Sequence, residues 1–370
     1  MQQIRDEYRQ ALQRLHYETY TDVQKLVIPS AMEGKDVFVH APAGSGKTLA
    51  YVLPILNSLT LQGKGKHMPK ALILCPTREL CMQVASLIRS ILLHIEGYRT
   101  IVLTGGVDIK AQIRAFRNGG DIVVGTPSRI TDHIRRHTLK MEAITTLVLD
   151  EADEMLQMGF IEDVRQIISA LSDHQTLVLS ATWQDNIKAL CSSILTDPVE
   201  VHIEKETVIP LRTTVHLVSI DEAHKLNRCA QILKKADRST IIFTNRKATA
   251  DFVCSSMQNK GFLCASIHSD MNWQSRKKIM EDFRAGRIHI LCATAVAQRG
   301  IDVPGVDTVI LYDIPDSQQQ LIHRTARTGR ADHPGDAWLL CTKQELKKYP
   351  YRKLFPDTLL TAPTGKHVGF

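Results

Sequence analysis

The sequence predicts an α/β fold: two tandem domains, each a mainly parallel sheet with helices on both faces. Three observations carry that reading. Short runs of Val, Ile and Leu recur along the 370 residues, continuous rather than alternating, as strands buried on both faces require. Most of these runs are followed by a helix-like segment. The pattern lapses once, around residues 197–214, and then restarts, in a chain too long for one ordinary core.

Taken in order, the first six runs are VFVHA (37–41), ALILC (71–75), TIVLT (100–104), DIVVG (121–125), TLVLD (146–150) and TLVLS (176–180). Each is bounded by Gly, Pro, Thr or charged residues, which end strands and open helices. After the lapse come TIIFT (240–244), CASIH (264–268), HILCAT (289–294), TVILYD (308–313) and AWLLC (337–341). The expected domains are 1–204 and 212–370, joined by a linker at 205–211. The final ten residues, TAPTGKHVGF, have no apolar period and are expected to fray.

Composition narrows the function. An apolar content of 44% and a charged content of 23% are those of a soluble globular protein. No apolar run could span a bilayer, and the start, MQQIRDEYRQALQRL, lacks the apolar core of a secretion signal. The eight cysteines are scattered without a C-x-x-C pair, which argues against a zinc site or disulfide framework and for an intracellular location, cytoplasm or nucleus. The net charge of +7 divides into −2 up to Pro210 and +9 beyond it. That asymmetry suits a polyanionic partner or an ordinary solvated surface.

Two motifs carry chemistry. In VFVHAPAGSGKTLAY (37–51) a strand runs through Ala43, Gly44, Ser45 and Gly46 into a helix opened by Lys47 and Thr48. This matches the phosphate cradle G-x-x-x-x-G-K-[ST], with Ala41 in the first glycine position. Glycines turn backbone N–H groups toward phosphate, and the helix N-terminus favours negative charge. Lys47 is suited to the β- and γ-phosphates and Thr48 to Mg²⁺. In TLVLDEADEM, Asp150, Glu151 and Asp153 stand at the end of an apolar strand, costly there unless a cation offsets them. Asp150 is suited to the metal through its water shell, and Glu151 to orienting and deprotonating an attacking water.

With Ser180-Ala181-Thr182, these motifs make the chain resemble, over nearly its whole length, the DEAD-box family of RNA helicases in superfamily 2. The resemblance implies two RecA-like domains and a cradle that normally begins with Ala. It implies an enzyme, an RNA-stimulated ATPase with ATP and Mg²⁺ as cofactors, coupling hydrolysis to local RNA unwinding or remodelling of RNA–protein complexes. Gln24 matches the adenine-reading glutamine, although His16-Tyr17 and Tyr20 replace the family's Gly-Phe and Pro. Asp153, Ser180 and Thr182 match the coupling residues. In HRTARTGR, His323, Arg327 and Arg330 match residues acting at the γ-phosphate, the two arginines as fingers, and Asp302 of RGID matches the ribose contact.

The resemblance further implies largely sequence-blind RNA contacts from Thr77 and Arg78, Gly105 and Gly106, and Thr126 and Arg129 in the first domain. In the second they come from Asn245, Arg246, Ser269 and Thr294. Hydroxyls, glycine amides and arginines of this kind suit phosphate oxygens and carry no base code. The helix after Arg129 matches the strand-bending wedge. Departures from the family are Ser128 and Ser269 for glycines, Trp273 for glutamine, Ala295 for aspartate, Gln298 for alanine and Ala326 for glycine. Protein regulators are compatible with this reading and a membrane is not. An ATP-gated RNA clamp with weak unwinding uses the same residues. A DNA-directed helicase is disfavoured by the D-E-A-D spelling and the PTREL and TPSR loops.

Overall fold

The six apolar runs of the first half form β1 (Val37–His40), β2 (Ala71–Leu74), β3 (Thr100–Leu103), β4 (Ile122–Gly125), β5 (Thr146–Leu149) and β6 (Gln175–Ser180). The structure is a computed structural model that describes residues 4–42, 44–60, 68–116, 119–203, 213–235, 239–268, 270–271, 273–294, 306–329, 334–351, 355 and 360–361. It divides into two units, Met1–Lys205 and Glu206–Phe370. The linker expected at 205–211 and residues 362–370 of the tail lie outside the described residues.

With β7 (Val199–His202) at one edge, unit one joins its strands in the order β3-β4-β2-β5-β6-β1-β7, with every pairing parallel. Continuous apolar runs are explained by the two faces. In β1, Val37 and Val39 enter one core while Phe38 enters the other, and in β2 Ala71 and Ile73 part from Leu72 and Leu74 in the same way. The covering helices are α1 (Asp6–Arg14), α2 (Asp22–Met32), α3 (Lys47–Ser58), α4 (Arg78–Ile91), α5 (Ile109–Ala115), α6 (Pro127–Arg135), α7 (Ala152–Gln157), α8 (Ile161–Ser169) and α9 (Asp185–Ile194).

Unit two contains β8 (Thr213–Ser219), β9 (Thr240–Thr244), β10 (Cys264–Ile267), β11 (Ile290–Thr294), β12 (Thr308–Leu311), β13 (Gly335–Cys341) and β14 (Leu360–Thr361). Its helices are α10 (Glu222–Leu233), α11 (Lys247–Gln258), α12 (Trp273–Arg284) and α13 (Gln318–Thr325). The order β10-β11-β9-β12-β13-β8-β14 repeats, strand for strand, the permutation of unit one. Again the sheet has a core on each face.

Two strands lie where the apolar pattern lapses. β7 (Val199–His202) is an edge strand in which Val201 alone is buried, so it alternates instead of running apolar. β8 begins within that lapse and mixes Thr214 and His216 with buried Val215 and Leu217. The criterion of continuous burial misses both.

The strand order decides which loops meet. β5, β6 and β1 are neighbours, so the turns after Leu149, Ser180 and His40 leave one stretch of the sheet's C-terminal edge. β3, β4 and β2 are also neighbours, and the loops after them carry Gly105, Thr126 and Thr77. In parallel sheets ligands bind outside these ends.

Candidate functional site

Gly44 and Gly46 have φ of 77° and 91°, in the left-handed region that glycine alone enters cheaply. They bend the chain so that Lys47 opens α3 buried beneath the loop, where its ammonium donates to Ala41 O and, at 3.2 Å, to Pro42 O. Burial lowers the Lys47 pKa, and nearby Asp150, Asp153 and Glu151 oppose that shift. The buried Ser45 Oγ has no hydrogen-bond partner. Ala43 lies outside the described residues, and Thr48 follows Lys47 on the first turn of α3.

Gln24 is a buried N3 residue of α2, not a surface cap. Its Oε1 accepts from Thr21 N at 3.0 Å, completing a capping box, while its Nε2 donates to Gly46 O at 3.0 Å. One hydrogen and one lone pair of the amide stay available for a base edge. The same residue therefore ends a helix and braces the cradle.

Across β6, the acidic turn faces the cradle. Asp150 is buried and accepts from Tyr51 Oη at 2.8 Å; burial raises its pKa, and Tyr51 and Lys47 oppose that rise. Glu151 sits at φ 56° and ψ 52°, left-handed despite its Cβ, at the junction of strand end and α7. Burial, with Asp150 and Glu154 beside it, pushes its pKa up to about 8. Asp153 is buried with Oδ1 unpartnered. From β6, Ser180 Oγ donates to Thr182 O at 2.7 Å and accepts from Thr182 N at 3.1 Å, while buried Thr182 Oγ1 has no partner.

These features fit a nucleotide accompanied by a divalent cation. Three carboxylates act on one ammonium, and burial pushes two of them toward neutrality. Among the described residues no group of three or more His, Cys, Asp or Glu could hold a metal. Mg²⁺ is usually held by one or two carboxylates with water and phosphate oxygens, so it needs no such group.

The second cluster sits outside β3, β4 and β2. Thr77 caps α4, accepting from Leu80 N at 3.2 Å, and Arg78 lies so close to Gly106 (φ 70°) that any Cβ there would collide with its guanidinium. Thr126 precedes α6, and Arg129 Nη1 donates to Val107 O at 2.9 Å and to Gln112 Oε1 at 3.0 Å. Two residues here carry no signal in the sequence. Gln112 is buried on α5, and its Nε2 donates to Thr104 O at 2.9 Å, so its Oε1 faces both Arg129 and His133. His133, fully buried, must then donate from Nε2 at 3.0 Å, while its Nδ1 lies 2.8 Å from Thr138 Oγ1, whose single hydrogen is shared with His133 O at 3.1 Å. Burial, reinforced by Arg129, lowers the His133 pKa and so favours the neutral ring. Tyr51, one helical turn beyond Lys47 in an apolar helix, likewise carries no signal in the sequence.

In unit two, Asn245 is a brace. Its N–H donates to Asp313 Oδ2 at 2.8 Å, its Nδ2 to Ile314 O at 2.8 Å, and its Oδ1 accepts from Arg324 Nη1 at 3.0 Å. Arg246 is exposed at the start of α11, and Thr294 is buried at the end of β11. His323 is on α13 and Arg327 lies just beyond it, its carbonyl accepting from Val306 N at 3.2 Å. Ser269, Ala295, Gln298, Asp302, Arg330 and the side chains of His323 and Trp273 lie outside the described residues.

A phosphate cradle, an acidic turn and a hydroxyl pair on three adjacent strand ends, in a sheet order used twice, define a tandem α/β nucleotide-binding protein. The DEAD/DEAH box helicase profile matches residues 21–190, and the helicase conserved C-terminal domain profile matches 224–332. An ATP-dependent RNA helicase CshA from Limosilactobacillus reuteri is 38% identical over 345 residues, 93% of this chain and 69% of that protein. The DEAD-box ATP-dependent RNA helicase CshA of Bacillus cereus is 36% identical over 92% of this chain; the chain spans 65% of that relative's length. The structure of S. cerevisiae Dbp5 bound to RNA and ADP BeF3 is similar with a TM-score of 0.83, at 25% identity, over 98% of this chain and 94% of that one. The chain belongs to the DEAD-box helicase family, and its two units are RecA-like.

Proposed function

We propose that this protein is an RNA-stimulated ATPase that couples ATP hydrolysis to local RNA unwinding or RNA–protein remodelling. The observation that carries this reading is the convergence of Lys47, Asp150, Glu151, Ser180 and Thr182 on the ends of neighbouring β1, β5 and β6, beside the nucleic-acid cluster on β3, β4 and β2. The RNA and ADP BeF3 held by Dbp5 support the same ligands here.

Gly44 to Thr48 would cradle the phosphates through backbone amides and the Lys47 ammonium, exchanging its two loop carbonyls for phosphate oxygens. Mg²⁺, held by Thr48 and by Asp150 through water, would neutralise charge on the phosphates and draw Asp150 and Glu151 toward their ionised forms. Glu151, freed of its proton, would orient and deprotonate the attacking water. Gln24 would read adenine, and Asp302 the ribose. His323, Arg327 and Arg330 would act at the γ-phosphate, the two arginines as fingers; an arginine finger is worth about 10³–10⁵ in rate. Asp153, with its open oxygen, and the Ser180–Thr182 pair would report the nucleotide state to the RNA-binding loops. Single-stranded RNA would be gripped through its backbone by Thr77, Arg78, Gly105, Gly106, Thr126 and Arg129, and by Arg246, Ser269 and Thr294 of unit two, with Asn245 bracing that set.

The test is the ATPase rate with and without single-stranded RNA, alongside Glu151→Gln. Strong stimulation that Glu151→Gln abolishes, with ATP still bound, supports the reading. Turnover indifferent to RNA would overturn it.

A further inference from the structure

Helix α6 carries two of the proposed RNA contacts at its start, Thr126 and Arg129, and is only nine residues long. A helix of that length is marginal alone, so its orientation is set by what it is fastened to. It lies close over the end of β4: a Cβ at Gly125 would be 2.6 Å from Ile130 Cδ1. Packing fixes that distance but leaves rotation and sliding open. Hydrogen bonds on both flanks restrict them.

On one flank stands α8. Ser128 Oγ donates to Asp163 Oδ2 at 2.6 Å. One turn on, buried Thr131 Oγ1 shares its single hydrogen between Pro127 O at 2.8 Å and Asp163 Oδ1 at 2.9 Å. Arg135 Nη2 donates to Gln166 Oε1 at 3.0 Å, one turn along α8. On the other flank is the Gln112 hub, whose Oε1 accepts from Arg129 and His133, four residues apart on α6. Both oxygens of Asp163 and both ends of the Gln112 amide are thus engaged. The family's glycine at position 128 could not supply the shorter of the two Asp163 contacts.

We propose that Gln112 and Asp163 are positioning residues that clamp α6 from opposite sides, so that Thr126 and Arg129 meet an RNA backbone as one rigid group. The proposal rests on the RNA reading above and adds to it a pair of residues that touch no ligand. A strand bound at Thr126 and Arg129 would load α6. The clamp resists by tying it to the Thr104 carbonyl before Gly105 and to α8.

The test uses the full chain and the variants Gln112→Met, Asp163→Ala, Asp163→Asn and Ser128→Ala. Two quantities are read: the single-stranded RNA concentration for half-maximal ATPase stimulation, and hydrogen exchange of the Thr131–Arg135 amides without RNA. Gln112→Met and Asp163→Ala should each raise the half-maximal RNA concentration about 3- to 10-fold, with kcat at saturating RNA within about twofold, and speed α6 exchange by a similar factor. Asp163→Asn, which keeps a carbonyl acceptor, should recover most of the loss, and Ser128→Ala should fall between. Unchanged α6 exchange in both Gln112→Met and Asp163→Ala overturns the clamp, as does faster exchange with no change in RNA dependence. A wild-type chain that ignores RNA overturns the functional reading instead, and the exchange data still decide whether these residues hold α6.

Discussion

Glu151 concentrates the cost of the site in one residue. Its left-handed backbone is a conformation in which a side chain costs of order 1 kcal/mol, and its carboxyl is pushed from 4.5 up to about 8. An acid whose pKa is raised on folding holds its proton longer in the folded chain than in the unfolded one. Its contribution to stability is therefore fullest below pH 4.5 and is lost as pH climbs toward 8. Glu151→Gln removes this loss. Without nucleotide, the variant should be more stable than wild type by about 1–2 kcal/mol at pH 8.5, allowing for the partial exposure of Glu151, with little difference at pH 5. Paired thermal melts at the two pH values check it, and an equal gap at both would show that the carboxyl is not the source.

At the scale of elements, the cradle stands because two helices share one joint. The α2 capping box places Gln24 Nε2 on Gly46 O, so the end of the glycine loop is fastened to a helix that precedes it in sequence. The two left-handed glycines differ in what surrounds them. A Cβ at Gly46 would lie 2.5 Å from Gln24 Nε2 and 2.9 Å from Thr21 Oγ1, whereas at Gly44 nothing lies within 4 Å. Gly44→Ala should cost only backbone strain, about 1 kcal/mol, and Gly46→Ala about 2–4 kcal/mol with loss of the capping box. Denaturant melts measure the difference, and ADP titration should show the larger loss of affinity for Gly46→Ala.

For the whole molecule, each unit has its own pair of cores. In unit two, buried Lys225 of α10 reaches Glu222 at 2.9 Å and Glu345 at 3.3 Å. Burial works against the Glu345 carboxylate, but the Thr342 N–H and Lys225 outweigh it and hold its pKa below the ordinary value. That depressed pKa adds stability above pH 4.5 which is lost as pH falls further. Lys225→Ala leaves Glu345 without its ammonium and should destabilise unit two by about 1–3 kcal/mol, less than the cost of breaking a fully buried pair because Glu345 is partly exposed. Calorimetry of the full chain should then show one transition moving and the other staying. Joint movement would mean that the units unfold together. Among the described residues no helix is long and apolar enough to cross a membrane.

The apolar runs from VFVHA to AWLLC were readable as strands because a strand covered on both faces has nowhere to put a polar residue. The cradle and the acidic turn were readable because phosphate and cation chemistry restricts a few adjacent positions to a few side chains. β7 and β8 were not, since a strand with one wet face alternates and blends into loop. The hub at Gln112, the Tyr51 contact to Asp150 and the grip of Asp163 on α6 were not either. Each rests on at least one hydrogen bond between residues 21 to 99 positions apart. A glutamine in a polar helix or a tyrosine in an apolar one looks the same whether or not such a partner exists. Local order follows from side chains a few residues apart, and the sequence states those directly. Which loops become neighbours follows from the order in which strands pair, and that order depends on the packing of the whole sheet.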